Sequence, residues 1–211
     1  VLMEKVKKPK LWDIEFETIS STPPLIDYVQ YELLEDRRIY LTSDIGSDTI
    51  EYVNTLIEKF NYEDEKNGIN PEEAKPIRLY INSYGGSIYD GLSIVNTILT
   101  SKTKVIGICT GYAMSMGLGI YVACHERWAM PYTNFMYHEL SSSASGRAEE
   151  IKRATQEYER LQKMYDHILT SRTTLSQKKL NSVKKSANDC FFDVYEAKKY
   201  GVVHKIIGVD E

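Results

Sequence analysis

The sequence predicts an α/β fold built on a largely parallel sheet. Short apolar segments typical of strands alternate with longer segments whose apolar residues recur at helical spacing, as in β-α-β units. The chain has 211 residues, 42% of them hydrophobic, which is enough for one sizeable core. We therefore expect a single domain over residues 26–211. It follows an irregular segment, residues 1–25, in which Pro23 and Pro24 interrupt regular structure.

The first half of the predicted domain contains two strands and two helices. The first of these helices has Ser47 or Asp48 as its expected N-cap. In chain order the elements are the strand RRIYL, the helix SDTIEYVNTLIEKF, the charged surface loop NYEDEKNGINPEEAK, the strand PIRLYIN, the glycine turn SYGGS and the helix IYDGLSIVNTILTS.

The second half contains three strands and four helices. A long helix over about residues 147–171 carries alternating charges on its exposed faces, and the last short helix ends on Gly201. In chain order the elements are the strand TKVIGICT, a helix that starts near Ala113, the strands RWAMP and NFMYH, the long helix, and the short helices SQKKLNSVKK and DVYEAKKYG.

Composition excludes several classes of protein. The net charge is -4 and no basic stripe stands out, which argues against a nucleic-acid binder. No apolar run reaches the roughly 18 residues of a membrane span, and the N-terminus lacks the apolar core of a signal peptide. The three cysteines are widely spaced without a CxxC pair, so we expect small buried hydrophobes in a reducing, cytoplasmic setting and no metal site.

One hydroxyl stands in an otherwise small and apolar stretch, CTGYAMSMGLGIYVAC, as Ser115. A buried serine usually bonds back to a helix carbonyl and does nothing else. A nucleophile at the start of a helix would instead benefit from free N–H groups and positive potential. The N–H of Met116 could then donate to an oxyanion, and Gly85 or Gly86 could supply a second donor, although a Gly-Gly pair is also an ordinary tight turn.

Serine chemistry near neutral pH needs a histidine base, and the chain offers four histidines. His138 ends the strand NFMYH and opens onto a polar loop, where catalytic side chains enter a crevice, so it is the best candidate. The alternative is a satisfied histidine at a strand end. We expect His125 in a surface loop and His167 on the solvated face of the long helix, while His204 lies near the C-terminus.

The acid that would orient the histidine is not recoverable from spacing alone. Asp189 precedes the apolar pair Phe191–Phe192 and could project from a loop fixed by these rings. Asp193 is better explained as the N-cap of the last helix, with Glu196 completing a capping box. Asp189 is therefore the preferred candidate.

Four segments together resemble the ClpP family, the proteolytic subunits of the Clp protease. They are YINSYGGSIYDGLSIVNTI, ICTGYAMSMG, MPYTNFMYHEL and FFDVYEAKKYGVVHKII, and the resemblance extends from about Tyr31 to Ile207. It implies Ser115 as nucleophile, His138 as general base and Asp189 as orienting acid. It also implies that Gly86 and the Met116 N–H form the oxyanion hole.

The resemblance carries further expectations about fold, assembly and substrates. It implies the crotonase-like ClpP fold, a head of repeated β-α-β units with a protruding handle helix that Glu149 to Thr170 match. The handles of two heptameric rings would interleave, giving a tetradecamer. Unfolded polypeptides would be delivered by a Clp-type AAA+ ATPase, and the peptidase itself would need no cofactor. In the family the N-terminal segment forms axial loops, but residues 1–25 show little resemblance to them.

The same resemblance suggests where the ATPase docks. Tyr80, Ile108 and Met130 align with positions lining the apolar pocket that accepts the ATPase loop. The alternative is that all three are simply core residues.

Three departures from the family pattern bear on function. Tyr84 replaces the proline of Ser-Pro-Gly-Gly, so the turn is less fixed in φ. After the histidine, residues 139–143 read Glu-Leu-Ser-Ser-Ser where the family has Gln-Pro-Leu-Gly-Gly. Ala187 and Asn188 stand where an Asp-Arg pair bridges the two rings, so we expect weaker ring stacking or stacking held by handle packing.

Three functions remain as hypotheses at this point. The first is an active self-compartmentalised serine endopeptidase using Ser-His-Asp acyl transfer. The second is a structural, weakly active or inactive subunit of a mixed ring, which the altered loop after His138 keeps open although all three triad positions are filled. The third is a crotonase-class acyl-CoA enzyme, against which a Ser115–His138 pair argues.

Overall fold

The computed structural model describes residues 25–210, which form a seven-stranded sheet with seven helices around it. The strands are β1 (Arg38–Leu41), β2 (Ile77–Ser83), β3 (Val105–Met114), β4 (Glu126–Ala129), β5 (Asn134–Tyr137), β6 (Cys190–Asp193) and β7 (Lys205–Ile206). The helices are α1 (Leu25–Glu35), α2 (Ser47–Lys66), α3 (Ile88–Thr100), α4 (Met116–Ala123), α5 (Ala148–Arg172), α6 (Gln177–Ser186) and α7 (Val194–Lys199).

The sheet branches at its longest strand. The order β1-β2-β3-β4-β7 is parallel throughout, while β5 pairs in parallel with the far end of β3 and antiparallel with β6. β4 pairs with β3 over residues 106–109 and β5 pairs with it over residues 112–114, so one strand serves two neighbours at different heights. The prediction of an α/β fold with a largely parallel sheet is confirmed.

Helix α4 is the centre of the packing. All eight of its residues are buried, and it packs between β3, α3 and α5. Gly91 permits the close approach of α3, because a Cβ at that position would lie 2.1 Å from the Met116 side chain. The start of α4 is therefore held by surrounding core on several sides.

Several predicted boundaries were wrong, each for a physical reason. Helix α1 was not predicted because none of its residues is buried and its contact with the core is made by partly buried residues such as Leu34, so its core-facing stripe is weak. The serine helix begins at Met116 and not near Ala113, because β3 continues to Met114 by pairing with β5. Gly46, and neither Ser47 nor Asp48, occupies the N-cap position of α2. The short strands β6 and β7 were also missed.

Some expectations lie beyond what the structure describes. Residues 1–24 and 211 fall outside the described range, and with them most of the irregular segment and its correspondence to the axial loops. The extent of a single domain over residues 26–211 stays a prediction. Within residues 25–210, no helix is both long enough and apolar enough to cross a membrane.

The cysteines follow the prediction in part. Cys109 and Cys124 are fully buried, and burial raises the pKa of each thiol to about 12. Cys190 is partly exposed at the start of β6, so it is not the buried hydrophobe expected. None of the three forms a disulfide.

A buried arginine joins three segments behind α4. Arg127 is 3% exposed, and its guanidinium donates to the carbonyls of Val122 and Cys124 at the end of α4 and of Arg172 at the end of α5. The guanidinium also donates to the carbonyls of Gly201 and Val202. One side chain thus satisfies carbonyls that the helix ends leave without intrahelical partners.

We predict that Arg127→Met lowers the free energy of unfolding by about 3 kcal/mol or more, because the carbonyls of Arg172, Gly201 and Val202 lose the guanidinium that donates to them. Urea unfolding measures the change. The matched control is Arg153→Met, because among residues 25–210 the Arg153 guanidinium donates only to the Glu149 carbonyl on an exposed helix face. A change within about 0.5 kcal/mol is expected. Equal effects of the two substitutions would contradict the role given to Arg127.

Candidate active site

Ser115 is the single residue that connects β3 to α4. Its φ of 50° and ψ of -126° place it in a left-handed conformation that non-glycine residues rarely adopt. Two bonds hold it there: its N–H donates to the Met136 carbonyl at 2.9 Å, and its carbonyl accepts from the Tyr165 hydroxyl at 2.7 Å. Ser115 is therefore the N-cap residue of a buried helix. The sequence had placed it inside the first turn of a helix that starts near Ala113.

The sheet brings His138 to this serine. β5 pairs with β3 so that Met136 lies beside Met114, and His138 follows two residues later. The His138 Nε2 and Ser115 Oγ atoms are 2.7 Å apart, within hydrogen-bond distance. Parallel pairing thus joins two residues that are 23 positions apart in the chain.

Asp189 lies near the other side of the imidazole but does not yet touch it. The distance from Asp189 Oδ1 to His138 Nδ1 is 3.9 Å, and the aspartate side chain is 52% exposed. Helix α6 ends at Ser186, and its C-cap residue Ala187, with a φ of 49°, reverses the chain into the loop that carries the aspartate. The geometry therefore allows Asp189 to approach His138 from solvent.

Asp193, the other candidate for the orienting acid, is the N-cap of α7. Asp193 caps α7 by accepting from the N–H groups of Tyr195 at 2.9 Å and Glu196 at 2.8 Å. The Glu196 carboxylate accepts from the Asp193 N–H in return, which completes the predicted capping box. The prediction that Asp193 is a cap is confirmed.

The glycine turn lies directly against the serine. A Cβ on Gly85 would come within 2.8 Å of the Ser115 Cβ and 3.0 Å of the Met116 nitrogen. Gly86 forms a bridge with Ile45, and a Cβ there would lie 2.4 Å from the Ile45 carbonyl oxygen. Both positions also have positive φ, at 107° and 146°, so glycine is required at each.

Two backbone donors are available beside the hydroxyl. Within residues 25–210, neither the Gly86 N–H nor the Met116 N–H has a hydrogen-bond acceptor. Met116 occupies the first helical position of α4, where the N–H has no acceptor inside the helix. Met116 directly follows Ser115, and Gly86 directly follows Gly85, which lies against Ser115, so both N–H groups are close to the hydroxyl and the imidazole.

The other three histidines have different surroundings. His125 accepts from the Val105 N–H through Nδ1, and His204 lies 2.5 Å from the Arg127 guanidinium. Burial lowers the pKa of both, and the nearby Arg127 lowers that of His204 further. His167 is exposed on α5, as predicted. Among the described residues, no group of three or more His, Cys, Asp or Glu side chains is placed to hold a metal ion.

A cavity of about 280 Å³ opens beside the imidazole. Its lining comes from two parts of the chain, which include His138 and Leu140 in one and Val183 and Asp189 in the other. The cavity therefore connects the histidine, the loop after it and the end of α6.

The three residues predicted to dock an ATPase differ in their exposure to solvent. Tyr80 and Ile108 are paired across β2 and β3, and Met130 follows β4. Tyr80 and Met130 are partly exposed, whereas Ile108 is 3% exposed and contributes mainly to the sheet. Tyr80 also stacks on Tyr40 of β1, with ring centroids 4.8 Å apart.

A pair of stacked tyrosines was missed by the sequence analysis. The rings of Tyr84 and Tyr112 lie 4.2 Å apart, one just before the glycine turn and the other three residues before Ser115. Tyr84 is the residue that departs from the proline of the family pattern. The two rings contact each other at the entry to the turn, where a proline would instead restrict the backbone φ. Only a contact between distant residues reveals this, so spacing could not.

We predict that a double-mutant cycle of Tyr84→Ala and Tyr112→Ala gives a coupling energy of about 1 kcal/mol in urea unfolding, because each change removes the same ring pair. The control pairs Tyr84→Ala with Tyr132→Ala, since Tyr132 is 93% exposed, and we expect additive effects there. Additivity in the first cycle would show that the stack does not stabilise the turn.

The sequence is similar to proteins of one known family. The family model described as Clp protease matches residues 25–210. The chain is 33% identical over 175 residues to ATP-dependent Clp protease proteolytic subunit 3 of Synechococcus sp. (strain CC9605), covering 82% of each chain. It is 34% identical over 157 residues to proteolytic subunit 2 of Prochlorococcus marinus subsp. pastoris, covering 73% of this chain and 75% of the relative. A proteolytic subunit 2 from Prochlorococcus marinus (strain MIT 9313) is 33% identical over 180 residues, covering 84% of this chain and 86% of the relative. The chain therefore belongs to the Clp protease family.

Proposed function

We propose that this protein is a serine endopeptidase that cleaves unfolded polypeptides by acyl transfer on Ser115. The observation that carries the proposal is the 2.7 Å separation of Ser115 Oγ and His138 Nε2, close to the Gly86 and Met116 N–H groups, which have no acceptor among residues 25–210. A nucleophile, a base in contact with it and donors for an oxyanion are the groups that acyl transfer requires. Membership of the Clp protease family supports proteolysis as the reaction class.

The first half of the reaction forms an acyl-enzyme. The Ser115 hydroxyl donates its proton to His138 Nε2 as Oγ attacks the carbonyl carbon of the scissile peptide bond. The resulting oxyanion accepts from the N–H groups of Gly86 and Met116. The imidazolium then gives the proton to the leaving amine, the C–N bond breaks, and an ester to Oγ remains.

The second half repeats the steps with water as the nucleophile. Water loses a proton to His138 and attacks the ester carbonyl, and the same two N–H groups stabilise the second oxyanion. The proton returns to Ser115 Oγ and the carboxylic acid product leaves. No cofactor takes part in this scheme.

Asp189 has the role of holding the imidazole in the correct tautomer and stabilising the imidazolium. Its distance of 3.9 Å from Nδ1 is about 1 Å longer than a direct hydrogen bond, so the loop after α6 must close on His138 for this role. The exposure of the aspartate and the adjoining cavity give that loop room to move.

The proposal includes an assembly and a partner. We propose that the chain forms heptameric rings, stacks them as a tetradecamer and receives substrates from a Clp-type AAA+ ATPase in the cytoplasm. The relatives are named ATP-dependent Clp protease proteolytic subunits, which supports an ATP-dependent partner. The ring stoichiometry follows from the family resemblance. Helix α5 is the proposed handle between the rings. Ala187 and Asn188 lack the charges of a bridging pair, so handle packing would hold the stack.

The proposed ATPase surface is the aromatic row across the sheet. Parallel register places Tyr40, Tyr80, Ile108 and Trp128 side by side on one face. Tyr40 is 39% exposed and stacks on Tyr80, which leaves an apolar ridge suited to an apolar loop of the partner. Met130 extends this surface beyond β4.

The direct test of the function is covalent labelling. We predict that a fluorophosphonate modifies Ser115, located by mass spectrometry, and that labelling is lost in Ser115→Ala and falls by orders of magnitude in His138→Ala. Asp189→Asn should slow labelling strongly, whereas Asp193→Asn should affect stability more than labelling rate. A protein that stays unlabelled even with its ATPase bound would favour the alternative, a structural subunit of a mixed ring.

Docking has a separate test. We predict that Tyr80→Ala lowers ATPase-driven degradation of an unfolded protein by about ten-fold or more, because a central aromatic anchor is lost, while cleavage of a short peptide changes little. The ratio of the two rates measured on one preparation isolates docking from catalysis. The control is Tyr132→Ala. Equal loss of both activities in Tyr80→Ala would indicate destabilisation of the sheet and contradict a docking role.

A further inference from the structure

A buried carboxylate on helix α5 gathers four donors a short distance from the candidate site. Asp166 is 2% exposed, and its oxygens accept from four side chains. They are the Tyr137 hydroxyl and Gln162 amide at 2.7 Å, the Gln177 amide at 2.8 Å and the Lys184 ammonium at 2.5 Å. We call these five residues the Asp166 cluster.

The Asp166 cluster binds the chain on both sides of His138. Tyr137, immediately before the histidine, donates to Asp166, and the Leu140 N–H, two residues after it, donates to Gln162 Oε1 at 2.7 Å. Gln162 and Asp166 are one helical turn apart on the same face of α5. The segment that carries the imidazole is therefore attached to one helix at both of its ends.

The same face of α5 also reaches the serine. Tyr165 lies between Gln162 and Asp166 in the sequence, stacks on the Tyr137 ring at 5.7 Å and donates its hydroxyl to the Ser115 carbonyl. The helix thus contacts the backbone at the nucleophile and the residue before the base. A shift of α5 would move both groups.

Helix α6 contributes two of the four donors in the Asp166 cluster. Gln177 begins this helix, Lys184 lies in its last turn, and the loop with Asp189 follows directly. The Lys184–Asp166 ion pair is largely shielded from solvent, with side chains 18% and 2% exposed. Hence the helix that precedes the orienting acid is fastened to the same carboxylate as the strand that precedes the base.

Charge and proton positions agree with this arrangement. Burial alone would raise the pKa of Asp166, but the hydrogen bonds from Lys184, Tyr137, Gln177 and Gln162 outweigh it and the pKa is lowered. Burial, with the hydrogen bond to Asp166, raises the pKa of Tyr137. The aspartate therefore stays an anion and Tyr137 stays a donor at neutral pH.

We propose that Asp166, with Tyr137 and Lys184, is a positioning centre that sets the distance between His138 and Asp189 and aligns both with Ser115. This inference rests on the proposed function. Asp166 is 23 or more positions from both the base and the acid in the sequence. Its proposed role is in the rate of acyl transfer and not in substrate binding.

The test uses single changes that spare the core. Tyr137→Phe removes one hydroxyl and keeps the ring, and Lys184→Met removes the charge, while Lys184→Arg restores it. Lys185→Met and Tyr132→Phe are the matched controls, because Lys185 and Tyr132 are exposed. For each protein, active sites are counted by fluorophosphonate titration and peptide hydrolysis is expressed as kcat per titrated site.

We expect Tyr137→Phe and Lys184→Met to lower kcat per site by about 10-fold with KM within about two-fold, since a misplaced base costs rate and not affinity. Lys184→Arg should recover most of the loss, and the controls should match the wild type. A purely structural role would lower the number of titrated sites and leave kcat per site unchanged, which would overturn the proposal. A wild type that takes up no label would contradict the proposed function itself.

Discussion

The parallel pairing of β5 with the last three residues of β3 is the constraint on which the candidate site depends. It places the Met136 carbonyl on the Ser115 N–H and carries His138 to hydrogen-bond distance of the hydroxyl. Because side chains alternate along a strand, a shift of one residue in this register would point His138 to the opposite side of the sheet. The branch exists because β4 ends its pairing at Cys109 and leaves the rest of β3 free for β5.

The same junction requires an unfavourable backbone conformation at Ser115. Such a conformation costs on the order of 1–3 kcal/mol and persists only where the surroundings determine it. Here the surroundings are a fully buried helix after the serine, a strand before it and the Tyr165 hydroxyl on its carbonyl. Gly85 lies so close that any larger residue would press on the serine. Burial of α4 thereby offsets a local strain that presents the hydroxyl close to N–H groups without an acceptor in the described part of the chain.

The features of this arrangement that depend on local chemistry could be predicted from the sequence. The alternation of strands and helices, the length of α5 and the cap at Asp193 each follow from spacing and side-chain type, and the structure has them. The candidate serine and histidine were found because strand ends in parallel sheets point to a common crevice. Helix α1 escaped detection because it has no buried face, and the extension of β3 because it depends on pairing with β5.

Long-range polar contacts could not be predicted in the same way. The Tyr137–Asp166 bond joins residues 29 positions apart and the Lys184–Asp166 pair joins residues 18 apart, each on elements whose relative placement only the fold decides. The Tyr84–Tyr112 stack is another case, since a tyrosine in place of proline gives no sign of its ring partner. The separation of His138 and Asp189 is also a product of the fold, because it depends on where α6 ends.

The central claim is that Ser115 attacks a carbonyl whose oxygen is then held by two backbone N–H groups. A crystal structure of the phosphonylated protein tests it most directly, because the phosphonate resembles the tetrahedral intermediate. The account predicts a bond from Ser115 Oγ to phosphorus, with one phosphoryl oxygen about 2.7–3.1 Å from both the Gly86 and Met116 nitrogens. A phosphonate on another residue, or a phosphoryl oxygen directed to solvent with these N–H groups unused, would contradict it.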